Sequence, residues 1–242
     1  MSAYLRTPAL SMDLSAGAAQ GLLAPSVGQM IDWTPSLAAR SWFKRGIDLT
    51  AATIGLIALV PVLLVVAALI KLDSRGPILF RQRRMGLGGE AFTCLKFRTM
   101  IPDAEARLAE LEKRNEAAGG ILFKIKQDPR ITTLGRFLRR SSLDELPQLW
   151  NVLRGDMSLV GPRPLQVRDS DRLARMDYDG YMRRLSVTPG ITGPWQVGGR
   201  SDVDSSGMLQ LDLAYVDEWS IGSDITILCK TVGVVLGGRG AC

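Results

Sequence analysis

Histidine is absent from this chain of 242 residues. That removes the commonest general base and the commonest zinc ligand. Any acid–base or nucleophilic chemistry therefore falls to Asp, Glu, Lys, Tyr, Ser or Cys. Cysteine is scarce: Cys94, Cys229 and Cys242 lie far apart, form no CxxC pair and match no metal-ligand spacing. They read as reduced thiols in a cytoplasmic setting. The chain has no P-loop, no GxGxxG element and no internal repeat. A signal peptide is not expected either, because Ala16–Val27 is interrupted by Gly21 and Pro25 and has no basic stretch close by. Residues 1–41, rich in Ala, Ser, Gly and Pro, read as a flexible tail.

What is present is positive charge and one long apolar run. Formal net charge is +6 and the sequence pI is about 9.5. A basic balance points to an anionic partner, whether nucleic acid, membrane surface or phosphorylated substrate. Leu49 to Ile70 is 22 residues without a charge. At about 1.5 Å per residue such a helix is roughly 33 Å long, enough to cross a bilayer core. Pro61 lies inside the run, where it removes a backbone donor and kinks a helix. Basic residues sit on both flanks: Lys44 and Arg45 before it, Lys71, Arg75, Arg81, Arg83 and Arg84 after it. A spanning helix wants one basic flank, in the cytoplasm. Two basic flanks fit a helix that enters, bends at Pro61 and returns to the same face, with Trp42 and Phe43 at the headgroup level; on the residues alone a tilted span stays open beside it.

Beyond the membrane run the pattern is mixed and mostly helical. Ile78–Arg83 and Ala91–Phe97 read as strands around a glycine turn. Helical regions are expected at 103–118, 134–154, 165–184, 205–220 and 224–236, with a Pro/Gly-rich loop at 188–200. Leu143, Leu146, Leu149, Trp150 and Leu153 share one face, as do Ile225, Leu228, Val232 and Val235. Such faces either pack on a core or lie in the headgroup plane.

Four segments can carry chemistry. Ser142 followed three residues later by Glu145 reads as a capping box, which puts Asp144 and Glu145 in the first turn of a helix. Acidic residues favour that position through the helix dipole alone. Six of the seven charges in residues 124–140 are basic, however. A carboxylate pair beside them can attack phosphorus while arginines neutralise its oxygens, or hold a divalent metal. Pro162 and Pro164 bracket Arg163 and fix its backbone, which suits bidentate phosphate binding. The glycines of 188–200 allow backbone N–H groups close to a phosphate, and Trp195 there either stacks on a ligand or packs. The DxD pairs at Asp169/Asp171, Asp177/Asp179 and Asp202/Asp204 read as solvated charge.

These blocks together resemble the bacterial sugar transferases, monotopic polyprenyl-phosphate phosphoglycosyl transferases that initiate lipid-linked glycan assembly. The resemblance covers about residues 42–240. It runs through KRGIDL (44–49), GPILFRQRRMG (76–86), FTCLKFRTM (92–100), residues 128–164, TPGITGPWQVGGRSD (188–202) and residues 212–216. It implies an α+β, mostly helical fold with three parts: a re-entrant membrane helix of about 47–70 broken at Pro61, interfacial amphipathic helices, and a small globular domain on the cytoplasmic face of the bacterial inner membrane. On that resemblance Asp144 is the nucleophile towards the β-phosphorus of a UDP-sugar, releasing UMP, and polyprenyl (undecaprenyl) phosphate is the acceptor. Glu145 associates with Mg²⁺, and Lys96, Arg139, Arg163 and Arg200 bind phosphate groups. Two features depart from the pattern. Val60 stands where some members have a serine before the helix-breaking proline, and only the 41-residue tail precedes the unit, as in the short form.

The resemblance implies membrane lipid as a partner and no nucleic acid; a homodimer stays open. Two rival readings are a membrane-anchored module binding nucleic acid or anionic lipid, and a non-catalytic scaffold. Neither accounts for the Asp-Glu pair and the Pro-Arg-Pro turn.

Overall fold

The computed structural model describes residues 36–107, 121, 125, 127–199 and 203–237. It is α+β and mostly helical. After the single turn α1 (Leu37–Arg40), the 32-residue helix α2 (Trp42–Asp73) carries the apolar run. Ser41 caps its start by accepting from the Lys44 N–H. The helix continues through Pro61, whose missing N–H takes the i−4 bond from the Ile57 carbonyl. Its outward face is apolar and uncovered, with Ile57 70%, Leu64 66% and Val65 59% exposed. Among the described residues it is the one helix long and apolar enough to cross a membrane.

Both ends of α2 are held by the same folded unit. At its start, Lys44 and Arg45 do not serve as free flanking charges: Lys44 is buried, and its Nζ donates to the Val160 carbonyl and to Asp224. Arg45 donates to the carbonyls of Val152 and Leu153. Near the far end, Val66 and Ile70 pack with Phe97 and Leu138. There Lys71 donates to the Gly76 carbonyl, and Arg98 donates to those of Ser74 and Arg75. The charges read in the sequence as lipid-facing flanks are thus partly used in protein contacts.

β1 (Leu79–Met85) and β2 (Ala91–Phe97) form an antiparallel ribbon, register Leu79↔Phe97 through Met85↔Ala91. The other edge of β2 is closed by a side chain. Buried Asn151 accepts from the Leu95 N–H and donates to the Thr93 carbonyl. A second, parallel pair joins β3 (Ser158–Val160) to β4 (Gly190–Thr192). These strands touch backbone to backbone: a Cβ on Gly190 would lie 2.1 Å from the Gly161 nitrogen.

The helical regions are shorter than the sequence pattern suggests. Residues 134–154 are not one helix but α3 (Thr133–Arg140), a 3-10 turn (Leu143–Glu145) and α4 (Gln148–Arg154). The capping box does not form. Ser142 takes the left-handed conformation at φ 57° with no capping bond, and α4 begins only after Pro147. Residues 165–184 divide into α5 (Val167–Met176) and α6 (Tyr178–Arg184), split at Asp177, which caps α6 by accepting from the Gly180 N–H. The loop 188–200 holds β4 and the short α7 (Pro194–Val197). Helices α8 (Ser205–Asp217) and α9 (Ile221–Gly237) follow as expected. The helix expected at 103–118 falls largely outside the described residues, and 103–107 form turns.

Candidate functional site

The dyad sits where short elements meet. The α3 helix closes tightly on the chain after β2: a Cβ on Gly135 would lie 2.0 Å from the Thr99 carbonyl oxygen, an approach only glycine permits. Next to that contact Arg139 Nε donates to Thr99 Oγ1 at 2.9 Å. The chain then turns through left-handed Ser142, and the 3-10 turn delivers Asp144 and Glu145 opposite Lys96 of β2 and Arg163 of the Pro-Arg-Pro turn. A non-glycine residue held at positive φ beside a site is local strain of the kind that functional geometry retains.

The two carboxylates have different environments. Glu145 Oε1 accepts from Lys96 Nζ at 2.6 Å and from Arg163 NH2 at 2.8 Å. Burial works against its charge, but Arg163 and Lys96 outweigh burial and hold its carboxyl well below the usual carboxylate range. Arg163 is in turn raised by Glu145. Asp144 is 7% exposed. Among the described residues its carboxylate makes no hydrogen bond or ion pair. Burial pushes its pKa up, the adjacent Glu145 adds to that, and Lys96, Arg139 and Arg163 oppose it. One neighbour thus takes the pairing and the other keeps its oxygens free.

Asp144, Glu145, Lys96, Arg139 and Arg163 line one open cavity of about 2220 Å³, which also reaches Leu56, Leu63 and Ala67 of α2. Five of the six site residues read from sequence are therefore brought together, and Arg200 lies outside the described residues. Pro61 stays on the helix. Trp195 lines the cavity with its indole N–H buried and without a partner among the described residues, while its ring packs on the core around Leu173 and Met208. The DxD reading needs one correction: Asp169 is buried, beside Arg168, whereas Asp171, Asp177, Asp179 and Asp204 are exposed and Asp202 lies outside the described residues.

Sequence reasoning missed what holds the Pro-Arg-Pro turn. The Val160 carbonyl accepts from Lys44 and from Tyr215. The Arg163 carbonyl accepts from Arg184, and the Pro164 carbonyl accepts from Arg84 at 2.5 Å. Arg184 pairs with Asp212, and Tyr215 donates to Asp224. The only sequence signal for Asp212 and Tyr215 was that both fall inside a block quoted for the resemblance. Arg84 read as a membrane flank.

The amphipathic faces are divided. Leu143, Leu149 and Leu153 pack on core clusters, but Trp150 and neighbouring Phe137 of α3 are more than half exposed. On α9, Leu228 packs inward while Ile225 and Val232 are exposed.

The bacterial sugar transferase family model matches residues 39–238. Three relatives illustrate the likeness. "Galactosyl transferase CpsE" of Streptococcus agalactiae is 46% identical over 200 residues, 82% of this chain and 43% of that protein. "Exopolysaccharide production protein ExoY" of Sinorhizobium fredii is 43% identical over 201 residues, 82% of this chain and 87% of that protein. "Undecaprenyl-phosphate galactose phosphotransferase" of Salmonella typhimurium is 44% identical over 213 residues, 85% of this chain and 43% of that protein. The chain thus spans less than half the length of two of these relatives and most of the third.

Proposed function

The chain belongs to the bacterial sugar transferase family, and from that premise we propose that it transfers a sugar-1-phosphate from a UDP-sugar to polyprenyl phosphate. The carrying observation is Asp144: a carboxylate without a bonded partner among the described residues, at a cavity wall, beside Lys96, Arg139 and Arg163.

In this reading an Asp144 oxygen attacks the β-phosphorus, and the bond from that phosphorus to the bridging oxygen breaks. UMP leaves, and the sugar phosphate remains on Asp144. An oxygen of polyprenyl phosphate then attacks the same phosphorus. The aspartyl bond breaks, giving polyprenyl diphosphosugar and free Asp144. Arg163, Arg139 and Lys96 supply positive charge against the phosphate oxygens, so an anionic nucleophile is not repelled. Glu145 keeps Lys96 and Arg163 aimed at the site. Val187 and Leu185 do not enter the chemistry; they belong to the packed cores behind it.

The donor set fits Mg²⁺. Both cations sit on Oε1 of Glu145, which leaves Oε2 and the Asp144 oxygens as hard ligands. Among the described residues there is no cluster of three metal-ligating side chains. A magnesium ion held by Glu145 would therefore share its shell with water and the diphosphate, as Mg²⁺ commonly does. It would supply charge neutralisation at those phosphate oxygens.

The reading places the chain on the cytoplasmic face of the bacterial inner membrane, with α2 bending at Pro61 and returning to the side it entered. Support comes from the attachment of both helix ends to one folded unit. Cysteines placed at Ser41 and Ser74 should both react with an impermeant label from the cytoplasmic side only. Labelling from opposite sides would make α2 a simple span. The exposed Phe137, Trp150, Ile225 and Val232 are suited to the headgroup region.

The deciding experiment is UMP release from a panel of UDP-sugars with Mg²⁺, with and without undecaprenyl phosphate, for wild type and Asp144→Asn. Turnover with one or two sugars is expected, dependent on metal and lipid phosphate. The Asp144→Asn protein is expected to lose at least about 10³-fold, the scale seen when a covalent nucleophile is removed. Full activity in Asp144→Asn removes the covalent mechanism.

A further inference from the structure

The chemistry just proposed uses Arg163 but does not account for the buried ion pair behind it. Arg184, in the last turn of α6, is 4% exposed, and Asp212 of α8 is 0% exposed. Arg184 Nε donates to Asp212 Oδ2 at 2.8 Å, and Arg184 NH2 donates to the Arg163 carbonyl. The other Asp212 oxygen, Oδ1, is buried without a hydrogen-bond partner among the described residues. As a stabilising device this is poor. Desolvation of both charges offsets much of their attraction, and an orphaned buried acceptor adds a further penalty. What the pair delivers is a guanidinium fixed at one main-chain oxygen.

That oxygen has geometric importance. The rings of Pro162 and Pro164 set φ on either side of Arg163, and the residue before a proline is confined to extended conformations. Within that range, the remaining rotation about the Cα–C bond of Arg163 turns its carbonyl relative to its side chain. A donor on the carbonyl therefore selects the direction in which the guanidinium leaves the backbone. The flanking carbonyls have their own donors, the Gly190 N–H on Pro162 and Arg84 on Pro164. Arg184 is the donor on the residue whose guanidinium meets Glu145 at 2.8 Å.

We infer that Arg184, carried by Asp212, is a positioning residue for Arg163, setting the angle at which that guanidinium meets both Glu145 and the donor diphosphate. This rests on the proposed sugar-phosphate transfer. It assigns functional work to Arg184 of α6 and Asp212 of α8, neither of which lines the cavity that holds the dyad.

The test is steady-state kinetics on membrane-inserted wild type, Arg184→Lys, Arg163→Lys and the double variant, with KM measured separately for UDP-sugar and undecaprenyl phosphate. Lysine keeps a charge for Asp212 but presents a single ammonium, which cannot replace a fork that bonds the carboxylate and the carbonyl together. Arg184→Lys is expected to raise the donor KM about tenfold while the acceptor KM stays within about twofold, the scale of a lost hydrogen bond to a charged group. The double variant should be no worse than Arg163→Lys alone, because one residue acts through the other. A merely structural role predicts a different pattern: a smaller active fraction, lower kcat, both KM values unchanged, and effects that add in the double variant. That pattern overturns the inference. Should Arg184→Lys not fold, Asp212→Asn, which keeps the shape and loosens the pair, is read by the same split in KM. If wild type turns over no UDP-sugar at all, the proposed function fails and the inference falls with it. If wild type turns over and Arg184→Lys keeps the wild-type donor KM, only the inference falls.

Discussion

The membrane helix and the dyad corner are specified in opposite ways. Helix α2 is one continuous element of 32 residues, and its outward side chains are largely uncovered. Their identity is set by the surrounding solvent, so an average property suffices. The dyad corner is assembled from pieces of three to thirteen residues, and the polar groups around Asp144 have named partners: Glu145 with Lys96 and Arg163, Arg139 with Thr99, Arg184 with Asp212. Identity there is set by particular atoms. Composition can describe the first region, and only contacts can describe the second.

Beyond the nucleophile itself, the sharpest way to break this contrast is Glu145→Gln. The substitution is nearly isosteric, so a region governed by averages would tolerate it. Here it leaves the half-buried Lys96 and Arg163 without their counter-charge. Turnover in the UMP assay is expected to fall at least about 10²-fold, the scale of removing one preorganised charge from an active site. Retention of a third or more of wild-type turnover would show that the pairing at Glu145 is not what organises the corner.

A smaller effect compares one glycine from each region. At Gly135 an added Cβ meets the Thr99 oxygen at 2.0 Å, whereas at Gly46 in α2 nothing lies within 4 Å. Gly135→Ala should lower stability by about 1–3 kcal/mol, as overpacking does, and should lower turnover as Arg139 moves off Thr99. Gly46→Ala should raise stability by about 0.5–1 kcal/mol, since alanine loses less entropy in a helix. Thermal melting of the two variants in one detergent checks both signs.

This division also explains what could be read from the sequence. The apolar run, the ribbon of β1 and β2 and the helices α8 and α9 were legible because each carries a sustained period or composition. Asp144, Glu145, Arg139 and Arg163 carried local signals of phosphate chemistry, but Lys96 and the grouping of all five were legible only through ordered blocks resembling a family. Local rules failed at the same place. The Ser142–Glu145 spacing promised a capping box, but tertiary packing of α3 on Thr99 drives the chain into a left-handed turn there. Asp169 read as solvated charge because its burial follows from α5 packing near Arg84, a contact with a residue 85 positions earlier in the chain. The clamp from Arg184 to the Arg163 carbonyl leaves no local trace, since a main-chain acceptor has no sequence identity.

The smallest expected effect completes the contrast. Ile57 and Val65 project from the uncovered face of α2 and do not line the cavity. Lipid tails are about as apolar as leucine, so exchanging one aliphatic side chain for another on a lipid face changes little. Ile57→Leu and Val65→Leu are expected to leave turnover and the membrane-bound fraction within about twofold. The same kind of change at Ile70, which is 1% exposed and packed with Phe97 and Leu138, should differ: Ile70→Val should cost about 0.5–1.5 kcal/mol through the lost methylene. Membrane flotation and melting of the three variants measure this directly. A clear loss of turnover in Ile57→Leu would mean that the outward face contacts something more particular than lipid, and then α2 too would belong to the class of regions defined by partners.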